Sequence, residues 1–214
     1  MTSTQTSTEK TLKSQLNPLK TALLIVDMQN DFVSDEGYLG MKGQKLDMVR
    51  DTIPAIKTLL ERFRANKMKV IYTQTVHFKY TNTENWVSRT AQKSLDPSIC
   101  KPNTWGAEII EELKPDVDEP VVIKHRYDSF LDTDLHLILR AAGIENLVIV
   151  GTQTNLCVDS TARRAYMMDY VTIILEDCVS TPELEFHRPM LDNFQKNFGY
   201  VERSEDFLKR FSEH

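Results

Sequence analysis

The chain has little cysteine, no long apolar run, no basic cluster and no glycine-rich nucleotide loop, and each lack removes a class of protein. Its three cysteines (Cys100, Cys157 and Cys178) are odd in number and far apart, so they make no disulfide framework and suit a reducing cytoplasm. No apolar stretch approaches the roughly 20 residues that cross a bilayer, so no membrane partner is expected. The net charge of −5, from 26 basic and 31 acidic side chains, argues against nucleic acid. No G-x-G-x-x-G follows the first apolar run and no G-x-x-x-x-G-K-[ST] occurs, which speaks against a dinucleotide and a phosphate-binding loop. Asp27 also lacks the second aspartate two residues on that an aspartyl-phosphate phosphatase would show.

What remains is the composition of an ordinary globular protein, 41% hydrophobic and 27% charged. Residues 1–19, rich in Ser, Thr, Lys and Gln with no apolar core, read as an arm rather than a secretory signal. Residues 20–214 suffice for one well-buried domain. Strand-like runs lie at 21–26, 69–73, 120–123, 147–150 and 171–175, with a weak candidate at 199–201. Helical spacing joins Ile53, Ile56, Leu59, Leu60 and Phe63 into one apolar face, and helices are also expected at 133–142, 161–168 and 183–198. Apolar strands alternating with helices indicate an α/β fold with a parallel sheet covered on both faces. Residues 75–118 show no clear period beyond a short helix at 108–113, and read as a long excursion of the kind that walls a binding site.

In open α/β sheets, ligands bind beyond the carboxyl ends of the strands. Those ends carry Asp27 after ALLIV, Lys124 after VVI, and Cys157 shortly after LVIVG. With Thr154 or Asn155 as N-cap, Cys157 enters the first turn of a helix, where backbone N–H groups have no intrahelical partner. Lys124 and the helix terminus favour a thiolate there, whereas Asp27 opposes it, so the net shift has no sign from sequence. Alone, each residue has a bland reading: an Asp for turn reasons, a solvated Lys, a packed Cys. Together they make a nucleophile with its own base and charge stabiliser. Cys178 has no neighbour for a thiol pair, and Asp177 reads as a structural hydrogen-bonding residue.

The motifs LLIVDMQNDF around Asp27, VVIKHRYDSF around Lys124 and GTQTNLCVDSTARRA around Cys157 resemble those of the isochorismatase-like cysteine hydrolases, over residues 23–180. That superfamily includes nicotinamidases and the ureidoacrylate and N-carbamoyl amide amidohydrolases, and the second and third motifs look most like the latter branch. The resemblance implies a three-layer α/β/α sandwich with a six-stranded, mostly parallel sheet and an Asp27–Lys124–Cys157 triad. It implies a cis peptide at Thr152–Gln153 that turns the Gln153 amide toward substrate, to form an oxyanion hole with the Cys157 N–H. Hydrolysis of a small amide or ureido substrate through a thioester would follow, with no cofactor, in a homodimer or homotetramer. The cysteine argues against the vinyl-ether hydrolysis of true isochorismatases. A broader amidase or esterase and a non-catalytic binding protein are the alternatives, the last disfavoured because all three strand-end residues are present.

Nicotinamidases of the superfamily carry a D-x-H…H metal site after the second strand. Here the stretch reads TQTVHFKY, with Thr75 in place of the acid and no second histidine nearby, so no metal is expected. His77 then reads as a pocket wall or a satisfied side chain rather than a ligand. Arg126 has the planar fork that suits a substrate carboxylate, or equally a neighbouring side chain. Phe32, Tyr80, Trp86, Tyr127 and Phe130 are candidate walls for a small planar amide, and each could instead be packing.

Overall fold

Thr21–Val26 is a six-residue run in which every side chain is buried, and it forms strand β1 at the centre of the sheet. The structure, a computed structural model, describes residues 17–92 and 99–211. The other strands are β2 (Lys69–Thr75), β3 (Val121–Lys124), β4 (Asn146–Thr152), β5 (Val171–Ser180) and β6 (Tyr200–Glu202). They form one sheet in the order β3-β2-β1-β4-β5-β6, parallel throughout. The weak sixth run is a true strand, with Ile173 opposite Tyr200. β5 extends beyond its apolar core because its register against β4 jumps: Ile149 faces Ile174, whereas Gly151 faces Val179.

Side chains alternate across a strand, so β1 feeds two cores. Leu23 and Ile25 pack with Ile56, Leu59, Leu60 and Phe63 of α1 (Ile53–Ala65), the face expected from their spacing. Ala22, Leu24 and Val26 pack on the other side, beneath α3 (Leu135–Ala141), α4 (Asp159–Met167) and α5 (Leu184–Asn197). Helix α6 (Ser204–Phe211) completes the first face by stacking Phe207 on Phe63, ring centroids 6.3 Å apart. The result is the three-layer α/β/α sandwich.

Three local expectations need correction. The excursion holds a helix, α2 (Glu84–Gln92), while the expected helix at 108–113 shrinks to a 3-10 turn, Glu111–Leu113. Residues 1–16 of the expected arm lie outside the described residues, but residues 17–19 belong to the folded part. There the Asn17 side chain accepts the Leu19 N–H at 2.9 Å and caps a 3-10 turn, Pro18–Lys20, that leads into β1. Among the described residues, no helix is long and apolar enough to cross a membrane.

Candidate active site

The strand order reverses at β1, with β2 on one side and β4 on the other, and the sheet opens a crevice at that switch point. Asp27 follows β1 directly, in a left-handed conformation (φ +50°) that turns the chain, its N–H donating to the Thr73 carbonyl at 3.2 Å. Lys124 is the last residue of β3. β4 closes on β1 just before Asp27 through Gly151 (φ +110°), where a Cβ would stand only 2.1 Å from the Val26 carbonyl oxygen. A side chain there would force β4, and the cysteine turn it carries, away from Asp27.

These three strand ends bring Asp27, Lys124 and Cys157 together. Lys124 Nζ lies 2.7 Å from Asp27 Oδ2, with both side chains fully buried, and donates to Cys157 Sγ at 3.3 Å. Two threonines fix the carboxylate: Thr73 Oγ1 donates to Oδ1 at 2.9 Å and Thr75 Oγ1 to Oδ2 at 3.0 Å. Burial opposes the charge on Lys124, but the neighbouring Asp27 and Cys157 outweigh it and hold the ammonium protonated. Burial pushes the Cys157 thiol well above its usual value, and the Asp27 carboxylate, to which the thiol is hydrogen-bonded, adds to the shift against the opposing pull of Lys124. The resting arrangement is therefore a neutral thiol between an ammonium and a carboxylate.

Cys157 sits in a π turn, Thr154–Val158, that precedes α4. Neither expected N-cap acts as one: Thr154 Oγ1 pairs with His187 Nδ1 at 3.0 Å, and Asn155 Nδ2 donates to Glu183 at 2.8 Å. The turn instead begins after Gln153, whose carbonyl accepts from Leu156 and Val158, both at 3.1 Å, and passes over the Cys157 N–H between them. The Thr152–Gln153 peptide is cis.

A cavity of about 320 Å³ opens in front of the thiol. Cys157, Gln153, Phe32, His77, Trp86, Arg126 and Tyr127 line it, whereas Asp27 and Lys124 stand next to Cys157 with no exposed surface of their own. Two expected walls are elsewhere. Tyr80 is 81% exposed and stacks on Phe78 outside the cavity, and Phe130 is buried in the second core against Tyr170. Arg126 donates to the carbonyls of His125 (2.7 Å) and Thr81 (2.9 Å) and stacks on Trp86, its Cζ 4.7 Å from the ring centroid. These partners position the guanidinium without neutralising it. His77 faces Trp86 at 5.9 Å; burial, then Lys124 and Arg126, depress it to about 4.

The metal site of nicotinamidases does not fit these residues. The Thr75 hydroxyl is occupied by Asp27 and Lys124. Among the described residues, no three His, Cys, Asp or Glu side chains cluster as metal ligands. Asp177 has the structural role expected of it, accepting from the Ser204 N–H (2.8 Å) and hydroxyl (2.6 Å) at the start of α6.

The Isochorismatase domain model matches residues 21–206. The chain belongs to the isochorismatase family. A ureidoacrylate amidohydrolase, RutB, of Acinetobacter baylyi is 33% identical over 210 residues, spanning 92% of this chain and 86% of that protein. Among solved structures, a cysteine hydrolase from Pseudomonas syringae pv. phaseolicola superposes with a TM-score of 0.80 at 28% identity, over 92% of this chain and 95% of the other. N-carbamoylsarcosine amidase from Thermoplasma acidophilum follows with a TM-score of 0.72 at 28% identity, over 86% and 96%.

Several residues around this isochorismatase-family site escape a reading by motif. Leu39, Ile99, Leu156, Pro182 and Glu183 also line the cavity, from four separate segments. Gln29 is fully buried and holds the backbone of Thr75 from both sides, accepting its N–H at 2.8 Å and donating to its carbonyl at 2.9 Å. Asp31 ties two loops together, accepting from the N–H groups of Tyr38 (2.9 Å) and Cys100 (2.6 Å). The alternation of Thr73 and Thr75 on one face of β2, beside a strand ending in an acid, is the one sequence signal that foreshadows the carboxylate's partners.

Proposed function

We propose that this isochorismatase-family hydrolase is a cysteine amidohydrolase that cleaves the C–N bond of a small ureido or amide substrate and releases ammonia. The observation that carries this reading is the Lys124 ammonium bridging the Asp27 carboxylate and the Cys157 sulfur, with the sulfur alone of the three facing the cavity. A scaffold would have no reason to bury an acid and a base next to a thiol at the switch point of the sheet.

Asp27 takes the thiol proton as the sulfur attacks the substrate carbonyl, and Lys124 balances the charge that appears on sulfur. The oxyanion rests on the N–H groups of Gln153 and Cys157, both at the cavity wall. Asp27 then gives its proton to the departing nitrogen, the C–N bond breaks, and ammonia leaves a thioester, or a thiocarbamate when the substrate is a ureide. Water attacks that carbonyl while Asp27 takes its proton, the C–S bond breaks, and the proton returns to sulfur. No step calls on a metal or a cofactor.

The relatives named ureidoacrylate amidohydrolase and N-carbamoylsarcosine amidase support a ureido acid as substrate. Arg126, oriented by two carbonyls and a tryptophan yet lacking an ion-pair partner among the described residues, suits the carboxylate of such a molecule. An ammonia-release screen over ureido acids, neutral primary amides and esters tests the reading. Fastest turnover on a ureido acid is expected. Cleavage of esters in preference to every amide and ureide would make the protein an esterase, and no turnover of any of them would leave a binding protein.

A further inference from the structure

Lys124 carries three N–H bonds but faces four acceptors. They are Asp27 Oδ2 at 2.7 Å, Thr75 Oγ1 at 2.8 Å, the Arg126 carbonyl at 3.0 Å and Cys157 Sγ at 3.3 Å. One N–H must therefore be shared, and the neutral sulfur, longest and weakest of the four acceptors, receives the smallest part of it. An ammonium has no lone pair, so Thr75 Oγ1 accepts from Lys124 and must point its own proton at Asp27 Oδ2. The hydroxyl is thereby held in one orientation, and no carboxylate or apolar side chain at that position could both accept from the lysine and donate to the aspartate. The strand end bearing it is held in turn by Gln29, whose side-chain amide pairs with both backbone groups of Thr75.

We propose that Thr75 is a positioning residue for the reaction, fixing the Asp27 carboxylate toward the thiol and restraining Lys124 from the sulfur until the sulfur becomes anionic. This rests on the amidohydrolase reading but concerns a residue that need not touch the reacting atoms. Thr75→Val keeps the shape and removes both hydrogen bonds; Thr75→Ser keeps both. In Thr75→Val, kcat falls about ten-fold or more with KM little changed, since misplacing a base costs the chemical step rather than binding. The lysine N–H freed from Thr75 turns to the sulfur, so iodoacetamide at neutral pH alkylates Cys157 about three-fold faster or more. Thr75→Ser returns both rates to the wild-type range. Faster alkylation confined to Cys157 separates this from damage to the fold, which would expose the buried Cys100 and Cys178 as well. Alkylation is read without any substrate, so it reports on Thr75 even if the substrate assignment fails. Equal alkylation of wild type and Thr75→Val, a loss that appears in KM alone, or a serine variant as impaired as the valine one would overturn the proposal.

Discussion

Lys124 Nζ stands 2.7 Å from Asp27 Oδ2 at a point where neither side chain has any exposed surface. A buried pair of this kind gains little over an apolar pair, but removing one partner strands the other charge in the interior. Lys124→Met is therefore expected to abolish turnover and to destabilise the fold by about 3–5 kcal/mol. Adding Asp27→Asn to it should recover much of the stability and none of the activity. Chemical denaturation of the four members of this cycle checks the point; strictly additive losses would mean that the two charges do not depend on each other.

How much of this was legible in the sequence follows from what each feature depends on. β1, β2, β4 and β5 could be read because apolar runs buried on both faces have no other home, while the edge strands β3 and β6 are partly exposed and signal more weakly; strand ends then gave Asp27, Lys124 and Cys157 their shared location. The cavity walls could not, because they depend on bonds between distant segments. Ile99 is set at the cavity by the neighbouring Cys100 N–H bonding to Asp31 across 69 positions. Thr154 fails to cap because His187, 33 residues on, takes its hydroxyl. Trp86 and Tyr80 are equally plausible aromatic walls by type, yet Trp86 is packed between His77 and Tyr127 while Tyr80 points away.

Arg126 offers a test of substrate charge. Replacing it with Met should raise KM for a ureido acid about 10- to 100-fold, the worth of a charge-assisted hydrogen bond, and leave KM for a neutral primary amide nearly unchanged. Equal losses on both substrates would show that Arg126 shapes the cavity rather than pairing with a carboxylate.

His77 gives a pH signature. Its folded value, depressed from 6.5 to about 4 by burial and by the Lys124 and Arg126 charges, with His125 adding to these and Asp27 opposing, keeps the ring neutral in the fold. The unfolded chain then binds a proton that the folded one refuses, so the contribution is intact above pH 6.5 and is lost as pH falls toward about 4. Thermal melts across that window should show wild type losing more stability than His77→Phe. Parallel curves would contradict the assignment.

Chelation should leave activity intact, because base, nucleophile and charge balance all come from side chains. Dialysis against a strong chelator followed by an ammonia-release assay decides this. Activity lost there and restored by zinc, iron or manganese would reverse the metal-free account.

During turnover, Cys157 is expected to form a covalent bond to the substrate carbonyl carbon. Acid quenching during turnover of a slow ureido or amide substrate, followed by intact-mass measurement and peptide mapping, tests it directly. The expected adduct adds a mass equal to the substrate less ammonia, confined to the Cys157 peptide and absent from Cys157→Ser, with Cys100 and Cys178 unmodified. Turnover with no adduct at any quench time, joined by more than a few per cent of wild-type activity in Cys157→Ala, would contradict such a bond.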